Sequence, residues 1–199
     1  HRRPLVQQSD GGQRLFGARA DLGGDAAGLG RVGIDGQIGW EPVENLTLYA
    51  SGSYIDSEIQ DSLLQYRTSG GVIGFYPTAG KELPDVAKWQ GALRAQYEWN
   101  NLELGVQYKY TGERFANIVN TEEAPSYELV DADVRYSLGD LNEALEDSYI
   151  QVNVRNVFDE DYLGSISQAV PSGTSPTFSA ATYQLGFPRT VVVSFNAEF

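Results

Sequence analysis

The sequence contains no cysteine and no methionine, and its single histidine is residue 1. Without cysteine the chain has no disulfide framework, no CxxC redox motif and no thiolate metal site. Without an internal histidine it has no Ser-His-Asp triad and no imidazole general base. We therefore predict a protein that is not an enzyme and that needs no cofactor.

Basic residues are also scarce, because 14 Lys and Arg stand against 27 Asp and Glu and the net charge is -13. Phosphate neutralisation requires clustered cations, so nucleic acid is excluded as a partner. No apolar run approaches the roughly 18 residues that a spanning helix needs, so only strands can cross a membrane. The first ten residues hold neither Met nor an apolar stretch, and we expect that an upstream segment has been removed.

Glycine and aromatic residues are plentiful, with 22 Gly and 12 Tyr, and apolar residues alternate with polar ones. Alternation with a period of two is typical of a strand that has two different faces. The segment 102–110 is the clearest case, since every even position is apolar or aromatic. Similar patterns predict about eight strands, at 14–22, 31–40, 46–59, 86–99, 102–110, 127–138, 149–158 and 190–199.

The connections between these strands alternate between short turns and long loops near 60–84, 112–126 and 159–187. This pattern predicts an all-β fold, a transmembrane antiparallel β-barrel with an apolar outer face. Trp89 and Trp99 would stand about 25 Å apart across the membrane. A soluble sandwich also alternates but would not need aromatic residues at both ends of the strands. These residues are Trp40, Trp99 and Phe199 at the short turns, and Tyr54, Trp89, Tyr110 and Phe158 at the long loops.

Two stretches near the end of the chain resemble a known family. "NVRNVFDEDY" (153–162) and "FPRTVVVSFNAEF" (187–199) are similar to the last strands of TonB-dependent outer-membrane receptors. "GKELPDVAKW" (80–89) resembles an upstream family segment, with Ala87 where the family often has Pro. The resemblance covers residues 31–199 and implies the C-terminal portion of a 22-stranded barrel. Residues 1–30 form a poorly matched lead-in with a possible first strand.

The resemblance also implies a function. Such receptors import a scarce nutrient, most often a ferric siderophore, across the bacterial outer membrane, with energy supplied through TonB. TonB acts on an N-terminal plug domain that this sequence does not contain. The expected partners are therefore the lipid bilayer, TonB through that plug, and a small-molecule ligand such as a ferric siderophore. The alternative is a free-standing eight-stranded barrel with a structural or adhesion role, in which the first strand would pair with the last.

The long loops hold the candidate ligand-binding residues. Cationic and aromatic side chains together suit an anionic, partly aromatic ligand, although each one could instead pack loop against loop. The candidates are Arg67, Phe75, Tyr76, Lys81, Arg114, Phe115 and Asn117.

Two other motifs predict no site. "GLGRVG" (28–33) fits the dinucleotide pattern GxGxxG but lacks the flanking strand and helix, so we predict a turn. The acidic residues Asp56, Glu58 and Asp61 and the segment 159–162 lack the spacing of a calcium loop. We interpret them as solvated carboxylates and predict no metal site.

Overall fold

A computed structural model of the chain describes residues 15–24, 29–62, 65–139, 145, 147–167, 172–175 and 177–197. The described residues form fourteen strands. In chain order these are β1 Leu15–Gly24, β2 Leu29–Val43, β3 Leu46–Ile59, β4 Gln65–Arg67, β5 Ile73–Phe75, β6 Trp89–Trp99, β7 Leu102–Thr111, β8 Arg114–Phe115, β9 Glu123–Ala124, β10 Tyr127–Ser137, β11 Tyr149–Arg155, β12 Leu163–Ser167, β13 Thr182–Leu185 and β14 Thr190–Asn196. No helix in these ranges combines the length and the hydropathy needed to cross a bilayer.

The eight longer strands form one antiparallel sheet in the order β1-β2-β3-β6-β7-β10-β11-β14. Each strand pairs with its neighbours along the chain once the short hairpins are left out, which is the up-and-down arrangement of a barrel wall. Within the described residues, β1 pairs only with β2 and β14 only with β11, so the sheet is open. This differs from the closed eight-stranded alternative, which requires β1 to pair with β14.

One face of the sheet is continuously apolar. Cross-strand partners on this face lie side by side, as in Ala95 beside Val106 and Val106 beside Ala132. Outward side chains remain exposed within the chain itself, for example Trp89 at 60% and Trp99 at 62%. The rings of Tyr54 and Trp89 lie 4.6 Å apart at the long-loop end. This confirms the outward aromatic positions on the described strands, while Phe199 lies outside the described residues.

Asparagine makes the tight turns at the other end of the sheet. Asn45 follows β2 with φ 68°, and Asn100 follows β6 with φ 52°. Asparagine tolerates this left-handed conformation better than other non-glycine residues, which is why two residues suffice to reverse the chain here. The short turns and the long connections therefore lie at opposite ends of the sheet.

Two sequence predictions fail locally. The turn predicted at 28–33 is wrong for the described positions 29–33, because they begin β2; all five pair with β3, and positions 30–33 also pair with β1. Two partner strands supply ladder hydrogen bonds that outweigh the weak strand propensity of glycine. The strand predicted at 149–158 ends at Arg155, because Asn156 turns the chain at φ 52°. Residue 28 lies outside the described residues.

The long connections are not plain loops, because each contains a two-stranded hairpin. β4 pairs with β5, β8 with β9, and β12 with β13. Every buried hydrophobic side chain that the structure describes lies outside the eight-stranded sheet, and nearly all lie in these connections. Among the residues that the structure describes, no buried hydrophobic side chain lies on the apolar face of the sheet, whereas the connections have a small core of their own.

Candidate ligand-binding loop cap

We define the loop cap as the described residues of the three long connections, 60–88, 112–126 and 156–189. The first connection is bonded to the second. The Asp85 backbone N–H donates to the Phe115 carbonyl at 2.8 Å. The Glu82 N–H donates to Asn120 Oδ1 at 2.7 Å, and Asn120 Nδ2 donates back to the Glu82 carbonyl at 3.0 Å. These bonds join backbone to backbone or side chain to backbone, so they fix the relative position of the two chain segments.

The second connection packs on the third through apolar and polar contacts. Ala116, Ala124 and Ile166 form a buried cluster between the β8–β9 and β12–β13 hairpins. Beside it, the Tyr183 hydroxyl donates to Glu122 Oε1 at 2.6 Å. Burial and this hydrogen bond raise the pKa of Tyr183 to about 12. Tyr183 therefore remains a protonated donor at any physiological pH.

Tyr76 joins the first connection to the third. Its hydroxyl donates to the Ser175 carbonyl at 2.9 Å and accepts from the Gly173 N–H at 3.1 Å. Its fully buried ring contacts Tyr66 and Phe178, with centroid separations of 5.3 and 5.0 Å. Tyr76 thus holds the β4–β5 hairpin against the last connection.

Arg114 contacts all three connections. Its Nη1 lies 3.2 Å from Asp85 Oδ1 in the first, and its Nη2 donates to the Leu163 carbonyl at 2.7 Å in the third. Its guanidinium carbon lies 5.6 Å from the ring centroid of Tyr127, the first residue of β10. The ring of Tyr127 in turn packs on Tyr162 at 4.6 Å. The side chain is only 7% exposed.

The predicted ligand-binding residues divide into two groups. Arg67 and Phe75 lie on the same exposed face of the β4–β5 hairpin, because Arg67 pairs with Ile73 and Gln65 with Phe75. Lys81 is partly exposed and bridges to Ile59 through its backbone. These three side chains are accessible to a ligand, and their role in binding remains a prediction.

The other predicted residues have partners inside the cap. Phe115 is partly exposed, and its carbonyl accepts a backbone bond. Asn117 is buried, and its Oδ1 accepts from the N–H groups of Val119 and Thr121 at 3.3 and 3.1 Å. Tyr76 and Arg114 are buried as described above. For these side chains the structure shows loop-on-loop contacts, and ligand contact remains a prediction.

A polar hub explains why the two terminal motifs occur together. Asn156 is buried; its Nδ2 donates to the carbonyls of Glu160 and Phe187 at 2.9 and 3.1 Å, and its Oδ1 accepts from the Glu160 N–H at 2.8 Å. Asp159 Oδ1 accepts from the Arg189 N–H at 2.8 Å. The segment that leaves β11 is therefore fastened directly to the segment that enters β14.

The polar face of the sheet carries ion pairs that join different strands. Arg94 Nη1 lies 3.0 Å from Asp133 Oδ1, although β7 runs between their strands. The pair passes over Gly105, where a Cβ atom would overlap the Asp133 carboxylate and lie 2.7 Å from Arg94 Nη2. Lys109 Nζ lies 3.0 Å from Asp131 Oδ2 on the directly adjacent strand β10. The inward charges are thus partly neutralised by each other.

Next to these ion pairs, where the sheet meets the cap, lies a polar recess of about 370 Å³. Both carboxylates of the ion pairs, Asn156 and Tyr162 contribute to its lining. In the parts of the chain that the structure describes, no group of three or more His, Asp or Glu side chains could hold a metal ion. The recess is therefore a polar surface without a described metal centre.

Carboxylates also gather on the β8–β9 hairpin. A hydrogen bond between the carboxyl groups of Glu113 and Glu123 raises the pKa of Glu123, and slight desolvation and the like charge of Glu113 act in the same direction. Nearby, the hydrogen bond from Lys88 Nζ to Glu82 Oε1 at 2.7 Å raises the pKa of Lys88. Lys88 is 41% exposed, so this pair is a solvent-exposed one.

Sequence reasoning missed Asn156, Asp85 and Tyr183 as structural partners. Asn156 had a usable signal, because an asparagine directly after an alternating strand is a common left-handed terminator. Asp85 and Tyr183 had none, since their partners lie 29 and 61 positions away in the chain. Their roles depend on how the loops fold together.

Comparison with known proteins identifies the family. The family model described as TonB dependent receptor-like, beta-barrel, matches residues 4–157. The chain is 37% identical over 75 residues to the ferrioxamine receptor of Yersinia enterocolitica, covering 37% of this chain and 11% of that protein. It is 33% identical over 91 residues to the ferrichrome outer membrane transporter/phage receptor of Escherichia coli K12, covering 43% of this chain and 12% of that protein.

The fold is also found in solved structures. The siderophore receptor PiuA from Acinetobacter baumannii superposes with a TM-score of 0.66 at 22% identity, covering 85% of this chain and 22% of that chain. The chain thus spans about a ninth of the curated relatives and under a quarter of this structure. It belongs to the β-barrel family of TonB-dependent receptors, which are outer-membrane transport receptors and not enzymes.

Proposed function

We propose that this chain forms the C-terminal part of the barrel of a receptor that imports a ferric siderophore. One observation carries the proposal, namely the similarity to two receptors named for ferrioxamine and ferrichrome. The open sheet supports it, because its two edge strands need neighbours before it can stand in hydrocarbon. We further propose that energy reaches the receptor through TonB, which acts on a plug domain outside this chain.

The loop cap is the part of this chain that we assign to ligand recognition. Arg67 and Phe75 provide an exposed cation and an exposed ring, and Lys81 and Phe115 are partly exposed elsewhere in the same cap. An anionic chelate with apolar arms would be attracted by the cations and packed by the rings. Tyr76, Arg114 and Asn117 belong to the same site as residues that give the cap its shape.

Transport by this route involves no covalent chemistry in the chain. Binding orders the ligand at the cap, and the polar face of the sheet with its recess lies directly below it. Polar and paired charges on that face offer a wetted surface to a hydrophilic cargo, whereas the opposite face offers only apolar contact to lipid. The two faces of each strand thus serve two different neighbours.

Uptake by cells tests the proposal. Cells that lack the full-length gene are supplied with radiolabelled iron as ferrioxamine, ferrichrome or ferric citrate, and iron accumulation is compared with that of wild type. We expect loss of uptake for at least one chelate, restored by the intact gene. Unchanged uptake and growth on every chelate would refute the siderophore assignment.

A variant series then tests the residues. In the complemented strain, Arg67→Ala or Phe75→Ala should raise KM about tenfold, as expected for a contact worth about 1–2 kcal/mol. The matched control is Arg189→Ala, since Arg189 is an exposed cation 3.8 Å from Asp159 at the base of the cap. An unchanged KM in both cap variants would remove the β4–β5 hairpin from the ligand site.

A further inference from the structure

We propose that Arg114 is a positioning residue that locks the three long connections into one rigid body. Its side chain contacts both of the other connections. Its guanidinium reaches Asp85 at 3.2 Å in the first connection and the Leu163 carbonyl at 2.7 Å in the third, while its own backbone belongs to the second. A single side chain therefore crosses both boundaries between connections.

Burial separates Arg114 from the other charges. Among the residues whose burial the structure describes, 30–62, 65–139, 145, 147–167, 172–175 and 177–197, it is the only charged side chain that is buried. The other ion pairs of the cap, Lys88 with Glu82 and Arg189 with Asp159, have side chains between 30% and 53% exposed. Within its own pair only Arg114 is buried, because Asp85 is 37% exposed and water can solvate it. Loss of the Arg114 side chain instead leaves the Leu163 carbonyl without this donor and leaves unfilled the buried space that the side chain occupies, whereas an exposed pair is replaced by water at little cost. Of the cations in the ion pairs of the cap, Arg114 is therefore the one whose replacement should destabilise the cap most.

The geometry requires the planar fork of arginine. Two different terminal nitrogens bind two acceptors on separate segments, while the plane lies near the ring of Tyr127. A lysine ammonium is a compact point charge on a flexible stem and does not hold two fixed acceptors and a ring contact at once. Arg114→Lys should therefore keep the charge but lose the lock.

Tyr127 connects the lock to the barrel wall. It is the first residue of β10, and its ring packs on Tyr162 at 4.6 Å. The ring of Tyr162 lies directly over Gly186, where any side chain would overlap it. These contacts run from Arg114 in the second connection to Tyr127 on the wall strand β10, and from there to Tyr162 and Gly186 in the third connection. The cap is held against the wall at the same point where its connections are held together.

This placement has a consequence for recognition, which rests on the proposed function. Exposed groups on different connections, such as Arg67 on the first and Phe115 on the second, keep a fixed separation only if the connections move together. A ligand that contacts both then binds without first ordering them. Loss of the lock should weaken binding without removing any group that touches the ligand.

Distance measurements test the lock without any ligand. Pairs of spin labels are attached to the full-length receptor in outer-membrane vesicles, at Ala79→Cys with Glu123→Cys and at Glu123→Cys with Ser167→Cys; native cysteines elsewhere, if any, are replaced first. These exposed positions report on the first and second connections and on the second and third. Double electron-electron resonance should give narrow distributions for wild type and clearly broader ones for Arg114→Lys and Arg114→Met.

Lys88→Met is the matched control, since it removes an exposed ion pair in the same region. We expect it to leave both distributions narrow. Heat-modified migration in SDS gels shows whether each variant still forms a folded barrel. If Arg114→Met does not assemble, the distance measurement is made on Arg114→Lys alone. Narrow distributions in both Arg114 variants, or equal broadening in Lys88→Met, would overturn the proposal.

Uptake kinetics separate positioning from general stability. With ferric ferrioxamine as the probe, Arg114→Lys should raise KM by about tenfold or more while Vmax per folded receptor stays near wild type. A fall in Vmax with an unchanged KM would indicate fewer working receptors and no positioning role. If wild type does not transport ferrioxamine at all, ferrioxamine is not the ligand of this receptor. The distance measurements still test whether Arg114 locks the three connections together.

Discussion

Asn156 offers the sharpest test of how this fold is held together. Its side chain makes three hydrogen bonds, two donated to the carbonyls of Glu160 and Phe187 and one accepted from the Glu160 N–H. The residue is buried and has φ 52°, in the left-handed region. Replacement therefore changes two separate quantities, the hydrogen bonds and the cost of the backbone conformation.

The two quantities can be estimated. Each intramolecular hydrogen bond contributes about 1 kcal/mol to the free energy of unfolding, so the three contribute about 3 kcal/mol. An alanine at positive φ costs about 1 kcal/mol, whereas glycine adopts this region freely. Asn156→Ala should therefore lose about 4 kcal/mol and Asn156→Gly about 3 kcal/mol of unfolding free energy. Asn156→Asp retains the acceptor but faces two carbonyls with a carboxylate, so it should lose at least the two donated bonds.

The assay is equilibrium unfolding of the full-length receptor in detergent micelles with guanidinium, followed by tryptophan fluorescence. The expected order of midpoints is wild type, then Asn156→Gly, then Asn156→Ala. Asn45→Ala is the matched control, because it changes the same residue type at φ 68° in a turn for which no side-chain bond is described. An Asn156→Gly midpoint equal to that of wild type would refute the role of the hydrogen bonds. An Asn156→Ala midpoint above that of Asn156→Gly would refute the backbone contribution.

Three further predictions concern the sheet and the cap. Gly105→Ala should separate Arg94 from Asp133, because its methyl group occupies their path; the two charged ends can move aside, so we expect a loss of only about 1 kcal/mol in the same unfolding assay. The raised pKa of Tyr183 means that its contribution to stability is complete below pH 10 and is lost as pH rises toward about 12. In an alkaline absorbance titration, Tyr183→Phe should therefore remove the signal of one tyrosine that titrates near pH 12, and an unchanged signal there would contradict the assignment. Tyr76→Phe keeps the ring packing but removes both hydroxyl bonds, so hydrogen exchange at residues 172–175 should accelerate, and unchanged exchange would count against the contact.

The sheet could be predicted from the sequence because the alternating pattern that specifies each strand lies within that strand. In β7 every second side chain is apolar, and that alone fixes the strand, its two faces and its length. Strand ends were less secure: the alternation of β11 continues to Phe158, yet the backbone turns at Asn156. Periodicity of side chains does not report the dihedral angle at which a strand stops.

The interior of the loop cap could not be predicted, because its contacts join residues that are distant in the chain. Arg67 and Arg114 look equivalent in the sequence, each a cation in a polar loop, yet Arg67 is exposed and Arg114 is buried. The difference arises from which loops meet, and no local pattern encodes that. The two terminal motifs are an intermediate case. Their resemblance to a family could be recognised in the sequence, but the hydrogen bonds of Asn156 and Asp159 that join them could not be predicted from it.

The separation of the small core from the broad apolar wall means that this molecule is stabilised in two different media. Lipid composition and thickness act on the wall, where strands exchange contacts with acyl chains, and leave the core of the connections untouched. Urea, salt and proteases act on the connections from the aqueous side. Damage from the aqueous side should therefore leave a folded barrel wall without its loop cap. Damage from the lipid side should leave an intact loop cap above a distorted sheet.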